Sequence, residues 1–318
     1  MKRRDLFATT LTGAIAATAP SSIANESGAE SHDKKHAKDR FIAFTESFQS
    51  LSIPKTCEVF NDIGLSGLDL TVRNGGHIKP ANAAAQLPTA HVAATSAGLD
   101  IPMLTTGINS ATDSHAREIL SQCDKLGIRK IKLGYYRHTT SKPIADQLDF
   151  VRKSLDAVIK MCGEYDVLPC MHVHSGPILP ANGLALYELL KTHDPKTVGA
   201  FCDPMHFAMT GGSGSWRQAM ELLRPWIKLT SIKNFWWVKA APGNRGEQRW
   251  RPVKCPVSDG IMPMQDYVSE LKRNGYTGIY TLHSEYIGGS VYKQFTLQDC
   301  INQTKADLAY MKSIMADH

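Results

Sequence analysis

From residue 40 to its end the chain alternates short apolar runs with longer stretches whose apolar residues recur every three or four positions. The runs are RFIAFTESF (40–48), GLDLTVR (67–73), IPMLTTGI (101–108), IRKIKLGYY (128–136), VLPCMHVH (167–174), VGAFCDPMH (198–206), IKLTSIKNF (227–235) and GIYTLHSEY (278–286). Such runs read as strands, and the stretches at 111–127, 145–166, 182–193 and 264–275 carry the helical period. Gly275, just past the helical residues of the last stretch, is a helix stop. Strand and helix in repeated alternation predict βα units around a parallel sheet. Eight units over 40–318 predict a single (β/α)8 TIM barrel, a fold of about 250 residues. An open doubly wound sheet is the alternative, and the lack of a G-x-G-x-x-G after the first run counts against it.

In a barrel strand, successive side chains alternate between the helix-facing outside and the interior. In GLDLTVR this turns Leu68, Leu70 and Val72 outward, and Asp69, Thr71 and Arg73 inward. The same rule turns inward Lys130 and Lys132; Cys170, His172 and His174; Leu229, Ser231 and Lys233; and Thr281, His283 and Glu285. VGAFCDPMHF (198–207) ends in Asp203 and His206, where the carboxylate either caps the following turn or joins the histidine at a site. Ionisable groups inside a barrel are costly except near its mouth. Here they fall late in their strands, at the face where barrel enzymes place their chemistry. Carboxylate and imidazole donors in this set suit one divalent ion such as Mn, Zn, Co or Fe rather than Ca. Its lysines and Arg73 suit a carboxylate, a phosphate or a developing enediolate oxygen.

Two further stretches read as substrate handling. Gly75–Gly76–His77 forms a tight turn after the second strand that would hang His77 over the mouth. Residues 235–262 show no clear periodicity and carry Trp236, Trp237 and Trp250 with Arg245, Arg249 and Arg251. Flat rings beside cations suit a lid over a sugar, with Trp236 in contact, or an interface in a homo-oligomer.

The composition, 42% hydrophobic and 21% charged, is that of a soluble globular protein. The formal net charge is +6, of which Lys2, Arg3, Arg4 and Asp5 contribute +2. The basic residues form no stripe, so no nucleic-acid partner is expected, and a small molecule is. Seven cysteines without a CxxC argue against a zinc knuckle or a redox dithiol. Residues 1–24 have a basic start, a weakly apolar run and a small-residue end, the layout of an export signal. Arg3–Arg4–Asp5–Leu6–Phe7 resembles the twin-arginine signal, which predicts a periplasmic location. The run is too short and polar for stable membrane insertion. Residues 25–39 read as a flexible linker.

GLDLTVRNGGH (67–77), DPMHF (203–207), SIKNF (231–235) and SDG…DYVSELKRNGYTGIYTLHSEY (258–286) resemble the sugar phosphate isomerase/epimerase family with its xylose isomerase-like barrel, over nearly the whole mature chain. The resemblance implies one divalent metal held by Glu, Asp, His and Glu from strands five to eight, with the glutamates doubling as acid and base. Asp203 keeps the aspartate, and His206 keeps a histidine that contacts substrate hydroxyls. His172, Ser231 and His283 stand at the other three positions, so the two-glutamate mechanism does not carry over. The expected metal set is therefore His172, Asp203 and His283, with Glu285 as base and Lys233 and Lys132 as further catalytic candidates. Arg73, His77, His174, His206 and Trp236 are expected substrate contacts. The implied reaction is metal-assisted proton abstraction beside a carbonyl of a sugar-like molecule, leading to isomerisation or epimerisation. A sugar lyase or dehydratase, and a carbohydrate-binding barrel without catalysis, are the alternatives. A phosphodiesterase like the DNA-repair nucleases of this fold would need a denser ligand set and a charged track for DNA.

Overall fold

The computed structural model describes residues 40–316 apart from 213, 289 and 291–293; the export signal at 1–24 and the linker at 25–39 lie outside the described residues. Eight parallel strands close into a barrel: β1 (Arg40–Phe44), β2 (Gly67–Val72), β3 (Asp100–Thr106), β4 (Lys130–Lys132), β5 (Leu168–His172), β6 (Gly199–Cys202), β7 (Ile227–Ile232) and β8 (Ile279–Leu282). The spatial order follows the chain order, and β1 pairs with both β2 and β8. The predicted (β/α)8 barrel is therefore the observed fold.

The pleat divides the core in two. Leu68, Leu70, Val72, Leu104, Ile131, Met171, Val173 and Ile232 face outward into the layer between strands and helices. Ile42, Met103, Cys170, Phe201, Leu229 and Ile279 form a separate apolar cluster inside the barrel. Inward residues nearer the strands' C-terminal ends are polar and buried: Asp69, Thr105, His172, Ser231 and Thr281. Asp203, Lys233 and His283 are each the first residue after their strand, where the ladder stops. All seven cysteines are buried and free.

Helix ends follow local chemistry. Ser52 caps α1 (Ile53–Ile63) by accepting from the Lys55 N–H, and Gly64 closes that helix at φ +90°. Asn182 caps α2 (Gly183–Leu190) through the Ala185 N–H at 2.9 Å. After the helix Met264–Arg273, Gly275 adopts φ +75°, the left-handed conformation expected of a stop. No helix among the described residues is long and apolar enough to cross a membrane.

The segment at 235–262, which carries no clear period in the sequence, folds largely as an antiparallel ribbon of Asn234–Lys239 against Trp250–Cys255. Asn234 fixes its base. The Asn234 Nδ2 donates to the Val257 and Met262 carbonyls at 3.0 and 2.9 Å, and its Oδ1 accepts from the N–H of Phe235 and of Met262. A Cβ on Gly260 would lie 1.9 Å from the Asn234 Cγ, so the close approach requires glycine. We expect Asn234→Ala, which strands several buried backbone groups, to cost about 1–3 kcal/mol in urea denaturation. An unchanged midpoint would show the ribbon base to be held by other contacts.

Candidate active site

The buried polar residues converge on a cavity of about 230 Å³ at the C-terminal mouth, lined by Phe44, Glu46, Arg73, Thr105, Lys132, Tyr135, His172, His174, Phe201, Lys233, His283 and Glu285. A wider groove of about 800 Å³ over the ends of β2–β4 shares Arg73, Lys132 and Tyr135 with it.

Asp203 is the centre of the arrangement. Its Oδ1 accepts from the His206 N–H at 3.1 Å and so caps the helix Pro204–Gly211, while its Oδ2 meets the cavity-lining His172 and Lys233. The carboxylate thus serves both as cap and as site group, the two uses its sequence context left open. Oδ2 lies 3.1 Å from His172 Nε2, 3.1 Å from Lys233 Nζ and 3.8 Å from His206 Nε2. Burial alone would raise the Asp203 carboxyl, but the facing His206, Lys233 and His172 outweigh it and hold the group well below the usual range.

Lys233 Nζ extends to Glu285 Oε1 at 3.4 Å, and Glu285 Oε2 meets Lys254 Nζ at 3.2 Å. Burial disfavours the Lys233 charge, yet Asp203 and Glu285 raise its pKa above the ordinary value. The Glu285 carboxyl is correspondingly held well below its usual range: Lys233, His283 and Lys254 overcome the effect of burial. A carboxylate pinned in this way is a weak base.

Lys132 has the opposite setting. Its side chain is buried, its Nζ has no hydrogen-bond partner, and that nitrogen sits 3.4 Å from the centroid of the Tyr135 ring. Burial, and then the charge of Arg73, lower its pKa well below the ordinary lysine value and favour the neutral amine. Arg73 itself is tied to Glu46 at 2.8 Å and lies over the Phe44 ring.

Both nitrogens of His172 are engaged, Nδ1 with the Tyr135 hydroxyl at 3.0 Å and Nε2 with Asp203. Burial lowers its pKa to about 3, so the ring is neutral. Its one proton belongs on Nε2, where it can donate to the carboxylate, and Nδ1 then accepts from Tyr135. His283 stacks on Phe44 with ring centroids 4.5 Å apart and lies between two carboxylates, Nε2 3.7 Å from Asp69 and Nδ1 3.4 Å from Glu285. Burial opposes its charge, but those carboxylates carry its pKa above the usual histidine value. Beneath it, Asp69 accepts from Thr105 at 2.7 Å and from Thr281 at 3.3 Å.

The expected His172–Asp203–His283 metal set is not formed. Among the described residues no three His, Cys, Asp or Glu side chains are arranged to hold an ion. The physical reason is that His172 presents a proton to Asp203, His283 is turned between Asp69 and Glu285, and an ammonium already sits on Asp203. Of the expected substrate contacts, Arg73 and His174 line the cavity. His206 lies behind it, its Nδ1 2.9 Å from the Ser175 hydroxyl and its ring 4.0 Å from that of His174. His77 folds back, its N–H donating to the Thr71 hydroxyl at 2.9 Å, and is not among the lining residues. Trp236 is also absent from the lining and donates to the Asp259 carbonyl at the ribbon's edge. The lining residues not anticipated are Phe44, Glu46, Thr105, Tyr135 and Phe201. Alternation extended along the first, third and sixth runs reaches Phe44, Glu46, Thr105 and Phe201; Tyr135 lies past the end of β4, where alternation gives no guide.

These features define a TIM barrel with a small, charged site at its C-terminal mouth. The chain belongs to the xylose isomerase-like TIM barrel family, whose model matches residues 57–314. Similar solved structures include a 3-keto-D-glucoside 4-epimerase from E. coli (13% identity, 87% of this chain and 100% of that one, TM-score 0.63). Others are a probable 3-DHS dehydratase from Bacillus anthracis (16%, 86% and 98%, 0.62) and a xylose isomerase-like TIM barrel protein from Mycobacterium smegmatis in complex with magnesium (13%, 87% and 98%, 0.62). At these identities the likeness is one of fold. No curated protein matches the sequence.

The depressed Asp203 pKa has a definite sign for stability. A carboxyl lowered by folding contributes fully above its unfolded-state range, near pH 4, and loses that contribution as the pH falls toward its folded value. Asp203→Asn is expected to destabilise by on the order of 3 kcal/mol at pH 7, with the gap to wild type closing below about pH 4. Denaturant melts at several pH values measure this, and a gap that does not narrow in acid contradicts it.

Proposed function

We propose that the protein is an enzyme acting on a sugar-like substrate, of the isomerase or epimerase type, by proton abstraction beside a carbonyl. The observation that carries the reading is a buried, unpartnered lysine amine in the same small cavity as a fixed ammonium. Lys132, favoured as the neutral amine, takes the proton; Lys233 and Arg73 offer N–H groups to the oxygen on which charge develops. Glu285 and Asp203 hold Lys233, and His174 provides a polar wall. A cavity of about 230 Å³ suits a single sugar ring, and the adjoining groove leaves room for a substituent. The epimerase neighbours of the same fold support this choice of substrate class. The same abstraction would start a β-elimination if a leaving group stood on the next carbon, and a probable dehydratase shares the fold. The twin-arginine-like start supports export of the folded barrel and so favours a free or oxidised sugar over a phosphorylated one.

Deuterium wash-in from D2O into a panel of ketohexoses and keto-glycosides, followed by NMR, tests the proposal. Wild type should exchange a proton beside the carbonyl, and Lys132→Met should lower the rate by about 10²–10⁴-fold. Because the neutral amine is the base, the rate should rise with pH through the depressed Lys132 pKa and level off above it. Sugar binding without exchange would point instead to a non-catalytic carbohydrate-binding barrel, and loss of water without isomer formation to the dehydratase reading.

A further inference from the structure

A divalent ion needs lone pairs from several donors aimed at one point, about 2.0–2.3 Å away. The strand-end residues of this barrel supply a different pattern. His172 uses Nδ1 for the Tyr135 hydroxyl and Nε2 for Asp203, which leaves no free lone pair. Ser231 stands on β7 where the family resemblance implies a histidine, and two residues further along the chain supplies Lys233. That side chain is buried, with Nζ 3.1 Å from Asp203 Oδ2 and 3.4 Å from Glu285 Oε1. One nitrogen therefore joins a carboxylate after β6 to a carboxylate after β8.

We propose that the Lys233 ammonium is the resident cation of this site, standing between the Asp203 and Glu285 carboxylates in place of a divalent metal. An ammonium has three N–H groups. Two are directed at Asp203 and Glu285, and the third is left for a ligand oxygen in the cavity that Lys233 lines. The ion is tethered by its own stem, carries one charge rather than two, and is beyond the reach of chelators. A second cation beside it would meet direct repulsion at short range in a poorly solvated site. The inference concerns what occupies the cation position, and it holds or fails independently of the reaction proposed above.

The test is metal binding by the full chain after dialysis against EDTA. Mn²⁺ is added and followed by calorimetry and by its electron paramagnetic resonance signal. Wild type should show no saturable single site, and its melting temperature should be the same with EDTA as with Mn²⁺. Lys233→Ala, which leaves the two carboxylates facing one another, should bind Mn²⁺ about 10-fold or more tightly than wild type and melt higher when it is added. Lys233→Met keeps the stem and should behave as Lys233→Ala does, whereas Lys233→Arg keeps the charge and should stay blind to metal. A single Mn²⁺ site in wild type that Asp203→Asn abolishes would overturn the proposal. So would folded Lys233→Ala and Lys233→Met proteins with no gain in affinity. If neither folds, the wild-type titration decides alone.

Discussion

The ion pair between Lys233 and Asp203 is the constraint on which the mouth of this barrel depends. Each group is almost entirely removed from water, and each alone would be costly to bury as a charge. Together, with Glu285 on the far side of the ammonium and His172 on the near side of the carboxylate, they satisfy most of one another's hydrogen-bonding capacity. Asp203 is also the cap of the next helix, so the pair ties the end of β6 to both the start of that helix and the end of β7. A pair held at three backbone anchors loses little further freedom when a ligand arrives, which is what preorganised electrostatic stabilisation requires.

The two cavity lysines sit in opposite electrostatic settings. Lys233 has carboxylates within contact distance and stays charged. Lys132 is buried with no hydrogen-bond acceptor and lies within reach of the Arg73 charge, and these push its pKa down against the attraction of the Tyr135 ring. The pKa values of two identical side chains are pushed in opposite directions by their surroundings. Divergent environments of this kind are how one site holds an acid and a base at the same pH. Glu285 anchors two lysines, which lowers its basicity.

The fold was legible because alternation is a one-dimensional signal that the barrel obeys strand by strand. Leu68 and Leu70 outside, with Asp69 inside, needed no more than the pleat. The inward faces of the fifth, seventh and eighth runs were likewise legible, and they located the cavity. Pairing within the cavity was not, because periodicity gives a side chain's face but not which neighbour it meets. Nothing in SIKNF says that the lysine reaches across to Asp203 rather than standing clear of it. His77 was misplaced for a related reason: the Gly75–Gly76 turn does reverse the chain, but the Thr71 hydroxyl captures the next N–H and pulls the histidine away from the mouth. Trp236 lies on a ribbon whose base is set by Asn234, a buried polar hub reaching residues 257–262, and such long-range contacts leave little trace in sequence.

The charge count explains why the altered residues belong together. The ligand set that the resemblance implies, with two glutamates and an aspartate, places three negative charges around an ion of charge two. Here His172 and His283 stand in place of the glutamates, and Glu285 returns one carboxylate two residues beyond β8's last ligand position. Two negative charges, Asp203 and Glu285, then surround the single charge of Lys233. With Lys254 on the outer oxygen of Glu285, the two carboxylates and two lysines of this chain balance in a poorly solvated space. Exchanging only the glutamates would leave a divalent ion short of donors, and adding only the lysine would set it against that ion. The histidines, the displaced glutamate and the lysine are therefore one substitution in physical terms, and its unit is the charge of the site rather than any single residue.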